Sequence, residues 1–259
     1  MAKAKWKPFP HPDKAYVYAG EALKKNWERL HRGDCEPYPK DSRVQEAWRA
    51  YHRGDFAEAV ALGLESGGAG ITVANKARSI YANGVESKAA LRMELFQESM
   101  EQAEEQVACE PKNPNAHYQF AYAAGRYSQG ISVAKALAQG LGGRIRAALE
   151  ATLKLAPKHA EAHIAMGTYH AEVIDKVGAL VGGFTYGAKK EAGEEHFRRA
   201  LKLMPDSAIA HVEFANGLVM MHGKKAVADA SALYMKAAAF EPRDAMERLD
   251  VEAARSELD

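Results

Sequence analysis

The residues whose types and spacing come nearest to a reactive or ligand-holding pattern lie in Val177–Lys190, "VGALVGGFTYGAKK". Four glycines and two lysines stand there, just ahead of an amphipathic stretch. A glycine-rich turn opening a helix can hold phosphate, because its backbone N–H groups converge and a lysine adds charge. A Walker-type loop needs Gly, four residues, then Gly-Lys-Ser/Thr, after a strand. Gly182 and Gly187 have the first spacing, but Ala188 follows, then Lys189 and Lys190, with no Ser or Thr. The preceding "AHIAMGTYHAEVIDKV" has helical periodicity. The pattern Gly-x-Gly-x-x-Gly is absent, so a turn is expected here rather than a phosphate site.

Other constellations resolve in the same direction. His159, His163 and His170 fall within about 40° on a helix, a possible metal face. No His-Glu-x-x-His arrangement accompanies them, and they read as structural. Cys35 and Cys109 are isolated, so neither a disulfide framework nor a zinc site is expected, and both read as buried or idle thiols. Arg-Gly-Asp occurs twice, at Arg32–Asp34 and Arg53–Asp55. Each follows a helical pattern, where Gly-Asp makes a stop and a new cap. "KAKWKPF" (Lys3–Phe9) mixes cations with aromatics that could touch RNA or an anionic surface, but a solvated, frayed terminus is the expectation. Glu104-Glu105 and Glu194-Glu195 are sequence neighbours and point apart on a helix. No Ser/His/Asp or Cys/His set emerges. The residues call for no catalysis, cofactor or metal.

Composition bounds the function classes. Of 259 residues, 47% are hydrophobic, and 35 basic side chains meet 34 acidic ones. That balance argues against a chain built for nucleic acid. Neither a secretory h-region nor an apolar run of about 18 residues occurs, so a cytoplasmic protein without a membrane span is expected.

The elements that must position these residues are helical. Apolar residues recur every three or four positions, as in "RIRAALEATLKL" and "EEHFRRALKL". Ser42-x-x-Gln45, Asp55-x-x-Glu58 and Asp244-x-x-Glu247 read as capping boxes, and Asn113-Pro114 as a cap followed by a first-turn proline. Three segments align without gaps: "CEPKNPNAHYQFA", "LAPKHAEAHIAMG" and "LMPDSAIAHVEFA". Pro111, Pro157 and Pro205 are each followed six residues later by His117, His163 or His211. Phe120, Met166 and Phe214 come next, then the small Ala121, Gly167 and Ala215. A fourth terminator ends at Pro242.

These segments resemble the tetratricopeptide repeat, in which a proline closes each hairpin and a small residue marks where helices touch. The resemblance covers roughly residues 110–242, and "YHRGDFAEA" (Tyr51–Ala59) looks like the turn of a further repeat. The proline spacings of 46, 48 and 37 exceed the family's period of about 34. Long hairpins with insertions are more similar to the T-component proteins of periplasmic TRAP transporters and to the regulator-of-microtubule-dynamics family. The resemblance implies an all-α superhelix of helical hairpins in one helical-repeat domain, 1–259. Residues 1–66 form an N-terminal helical section, 67–242 the hairpins, and 243–259 a cap helix and tail.

In that frame the glycine-rich stretch lies between the two helices of its hairpin, and Ser128–Arg144 is its counterpart one repeat earlier. Ten of the 21 glycines lie between Gly125 and Gly187. Both insertions are expected to lengthen a first helix and then turn on glycine. Their apolar residues need a cover, at about 25 cal/mol per Å² left wet. The reading preferred from sequence packs the insertions on each other. The alternative is an apolar pocket for a small molecule or lipid, lined by Leu137, Leu141, Leu180 and Phe184, or a patch for a partner or membrane.

The resemblance also implies where a partner binds, since the family's concave face is lined by first helices. Carried over, these positions are Tyr118, Tyr122 and Arg126, then Glu161, Ile164, Thr168 and Glu172, then Ile209, Val212, Asn216 and Met220. Asn216 matches the asparagine of the family's carboxylate clamp, but the accompanying lysines are missing. The expected function is a non-catalytic adaptor or scaffold that holds a protein or peptide in its groove.

Overall fold

A computed structural model describes residues 6–258 of the chain. It is all-α, with no strand among the described residues. The helices are α1 (Ala22–Leu30), α2 (Ser42–Arg53), α3 (Phe56–Ser66), α4 (Ala69–Gly84), α5 (Ala89–Cys109), α6 (Pro114–Gln129) and α7 (Val133–Ala138). There follow α8 (Leu141–Leu155), α9 (Ala160–Val177), α10 (Ala179–Tyr186), α11 (Lys190–Leu203), α12 (Ala208–His222), α13 (Val227–Ala238) and α14 (Ala245–Ser256). They group into two compact units.

The first unit holds Pro37–Gly130, the N-terminal residues through Leu30, and Arg243–Met246. Helices α2 to α6 stack in chain order, each packing on the next. One hairpin cannot bury its own apolar face, so stacking supplies the core. Trp48, Tyr51, Tyr81 and Phe96 are its largest buried side chains. Trp27 meets Trp48 edge-on at 5.8 Å, which joins the two related tryptophan segments. The caps differ in detail from the sequence reading. Asp41, not Ser42, caps α2, accepting from the Arg43 N–H at 2.8 Å. Gln45 donates instead to the Pro39 carbonyl. Asp55 and Glu58 are drawn to Arg53, so no side-chain cap forms on α3, while Asp244, just before α14, meets His52 at 2.8 Å. On α3 the Arg53 guanidinium outcompetes the backbone N–H groups for these carboxylates. The Asn113-Pro114 start holds as read: the Asn113 side chain accepts from Asn115 and Ala116.

The N-terminal segment is not frayed where it is described. Lys3, Ala4 and Lys5 lie outside the described residues. From there on, Trp6 stacks on Tyr81 at 4.0 Å, and Lys7 donates its N–H to the Tyr81 hydroxyl. Phe9 closes over Gly54, which ends α2 with φ 91°. A Cβ there would lie 2.5 Å from the Phe9 ring, so the glycine serves both the left-handed turn and the close approach.

The second unit holds His31–Glu36, Ile131–Pro242 and the chain from Glu247 onward. Here α9, α11, α12 and α13 form the repeat stack, and α8 packs on α9. Phe197 of α11 is fully buried between Gly167 of α9 and Gly217 of α12, and stacks on Phe214 at 5.1 Å. A Cβ on either glycine would enter the Phe197 ring space, at 2.8 and 2.5 Å. Helix α14 places Val251 and Ala254 against Ala208, Val212 and Ala237, covering the end of the stack. The insertions form short helices of their own. α9 does run on to Val177 and turns at Gly178, φ 82°, before α10 begins.

Candidate functional site

The repeated histidine has one local role in three places. His117 donates Nε2–H to the Pro111 carbonyl at 2.9 Å, and His163 does the same to Pro157 at 3.2 Å. His211 uses Nδ1–H to reach the Ser207 carbonyl at 2.8 Å. The imidazoles of His117 and His163 thus tie the first turn of a helix to the connection before it, while His211 ties it to its own N-cap residue. His159 caps α9, its Nδ1 accepting from the Ala162 N–H. His170 Nδ1 accepts from the Lys189 N–H.

The second unit therefore gathers three imidazoles for structural reasons. His163 Nδ1 lies 2.9 Å from His196 Nδ1, and the His170 and His196 rings are 6.0 Å apart. With its proton on Nε2, His163 accepts here and His196 donates. Burial, then His196, Arg146 and Lys189, pull His170 down to about 4. Burial also lowers His163 and His196. The site is kept neutral.

Of the three groove sets, the first lies in the first unit. Tyr118 is buried, Tyr122 stands 6.2 Å from it, and the Arg126 guanidinium sits 5.4 Å over the Tyr122 ring. The column follows from i, i+4, i+8 spacing on α6. Tyr122 and Arg126 form a half-buried cation–aromatic pair, with the Tyr118 ring buried and tilted by 51° beside Tyr122.

The other two sets lie in the second unit. Glu161 is covered by the turn at Gly33, whose carbonyl accepts from the Glu161 N–H at 3.0 Å. Ile164 is buried in the core, with Ile209 and Met220 packed at its edge. Val212 is covered beside α14. Glu172 pairs with Lys176. Thr168 donates to Glu213 at 3.1 Å, and Asn216 accepts from the Tyr234 hydroxyl. Glu213 and Tyr234 escaped the sequence reading. Burial, then the carboxylates Glu257 and Glu213, raise Tyr234. Thr168, Glu213, Asn216 and Tyr234 thus make a polar strip across α9, α12 and α13.

The pocket residues are arranged otherwise than expected. Leu141 is buried, but Leu137, Leu180 and Phe184 are 47, 87 and 95% exposed. Three of the four therefore stand in solvent instead of enclosing a cavity. The insertions meet where Gly142 of α8 faces the Tyr186 ring of α10, and α10 rests its glycine side on α9. A cleft of about 310 Å³ lies elsewhere, in the first unit, lined by Val17–Gly20, Glu46, Arg49 and Arg53. Arg49 is committed there to the Tyr18 and Gly20 carbonyls. Both cysteines are exposed, not buried. Desolvation, then Asp34 and Glu161, push the Cys35 thiol up and away from the reactive thiolate.

Comparison with known proteins bears on the fold. The family described as regulator of microtubule dynamics protein 1-3 matches residues 72–179, from α4 into α10 and less than half of the chain. No curated protein sequence matches the chain. The crystal structure of a thermophilic TPR protein from Thermus thermophilus is similar, with TM-score 0.58 and 17% identity, over 83% of this chain and 98% of that one. With the Pro–His–small segments falling where first helices begin, the chain has the all-α helical-repeat fold of tetratricopeptide proteins.

Proposed function

We propose that this chain is a non-catalytic scaffold that binds a protein or peptide through the first-helix faces of its repeats. The observation that carries the reading is the Tyr118–Tyr122–Arg126 column. Tyrosine and arginine are the residues that most often dominate interface energy, because they bury large area at low entropic cost. Here Arg126 is already ordered over Tyr122, so less freedom is lost on binding. The second unit offers a set of its own, Thr168, Glu172, Asn216 and Met220, with Glu161, Ile164, Ile209 and Val212 as their packed support. The partial likeness to regulators of microtubule dynamics and the repeat fold support a protein-facing role.

The test is capture by the immobilised chain from its own host's lysate, followed by titration of the identified partner. Tyr122→Ala is expected to weaken binding by about 1–3 kcal/mol. An unchanged affinity, with helicity intact, would remove the column from the site.

A further inference from the structure

The two insertions leave an apolar surface that folding does not cover. A Cβ on Gly182 would lie 3.1 Å from Val173, so that side of α10 faces α9. At 100° per residue, Leu180, Val181 and Phe184 share an arc of about 100° on the far side. Their exposures are 87, 52 and 95%. On α7, Val133 and Leu137 stand one turn apart and are also exposed. Helix α7 leads into α8, whose first turn carries Gly142, where a Cβ would lie 3.3 Å from the Tyr186 ring. Arg146 of α8 donates to the Tyr186 carbonyl at 2.9 Å. Both insertions therefore converge on the N-terminal end of α8.

Cations predominate along both insertions, with Glu150, Asp175 and Glu191 at their borders. The segments 131–149 and 176–190 contain Lys135, Arg144, Arg146, Lys176, Lys189 and Lys190, and no carboxylate. Arg146 and Lys176 reach carboxylates just outside them, Glu150 and Glu172. Elsewhere the chain must carry the compensating acids, since its overall charge is only +1.

We propose that this surface docks the protein on an anionic lipid bilayer. Leu180, Val181 and Phe184 enter the headgroup–acyl boundary, and the surrounding lysines and arginines meet lipid phosphates. A second copy fits less well. The exposed side chains present a few hundred Å², against about 800 Å² per partner in a stable complex. Apolar side chains on an eight-residue helix between two glycine turns need no shape-matched partner in a bilayer. No helix among the described residues is long and apolar enough to cross a membrane, so the contact is peripheral.

The test is sedimentation of the full chain with phosphatidylcholine vesicles, with and without phosphatidylglycerol, at low and high salt. Binding to the anionic vesicles is expected to exceed binding to the neutral ones by on the order of tenfold and to fall with salt. Leu180→Asp with Phe184→Asp is expected to abolish it while leaving helicity unchanged, since both side chains are exposed. Lys189→Glu with Lys190→Glu is expected to remove the anionic preference. Absence of binding to anionic vesicles would overturn the proposal, as would equal binding to both compositions. A concentration-dependent dimer, dissociated by the aspartate pair and indifferent to vesicles, would overturn it in favour of a self-interface.

Discussion

His163, His170 and His196 show how a titratable group acquires a structural role with a pH cost. Each is held below its ordinary value, chiefly by burial, with His170 at about 4. The groups facing them add positive charge: Arg146 and Lys189 toward His170, and Arg199 toward His163, with Glu195 alone opposing at His196. A depressed histidine pKa means that the unfolded chain binds more protons between about 4 and 6.5. Stability then rises with pH through that window and is lost as pH falls through it. Relative to neutral pH, the depressed pKa of His170 alone costs the fold on the order of 3 kcal/mol by about pH 4. Denaturant unfolding at pH 7 and pH 5 is expected to show a marked loss, reduced in His170→Gln. A midpoint that does not move between these pH values would contradict the neutral, buried cluster. The recurrence of His117, His163 and His211 was readable as a packing position. The bond each makes to a connecting carbonyl was not, because it depends on how the turn folds back.

At the scale of the element, the second unit is organised around Phe197, wedged between α9 and α12. Phe197→Ala would leave a cavity and is expected to cost about 3–5 kcal/mol. Gly217→Ala, placing a Cβ 2.5 Å from the ring, is expected to cost about 1–3 kcal/mol through overpacking. Urea unfolding of both variants checks this, and a neutral Gly217→Ala would show that α12 shifts freely. Gly167 was legible as the small repeat position, whereas Gly217 lies outside the aligned segments and becomes meaningful only once Phe197 is in place. Helix existence was legible from periodicity, and the Asn113-Pro114 start from its residues. The capping box on α3 failed because Arg53 takes both of its carboxylates, a side-chain competition that the box pattern does not include. Exposure of Leu180 and Phe184 was not legible, since a short apolar run looks alike whether covered or not. Glu213 had a faint signal: it aligns with Gln119 and Ala165, between two packed positions, where a carboxylate needs a partner such as Thr168.

For the whole molecule, the repeat was written in the three Pro–His–small segments, and the observed order of helices agrees with it. Its lengthened spacing has a physical origin in two short helices, α7 between α6 and α8 and α10 between α9 and α11. They give the second unit a surface chemistry, apolar with cations, unlike the Tyr118–Tyr122–Arg126 column of the first. The two proposals are separable by mutation: Tyr122→Ala tests the partner contact, and Leu180→Asp with Phe184→Asp the lipid contact.

The central claim is that α6 presents a partner-binding face. It is tested most directly by replacing Tyr122 with the photo-crosslinking residue p-benzoylphenylalanine, producing the chain in its own host, and irradiating the cells. The expected result is a discrete crosslinked polypeptide at position 122, lost when Arg126→Ala is added. The contradicting result is no adduct at 122 while the same residue placed at Glu172 or Met220 does crosslink, which would move the partner off the column.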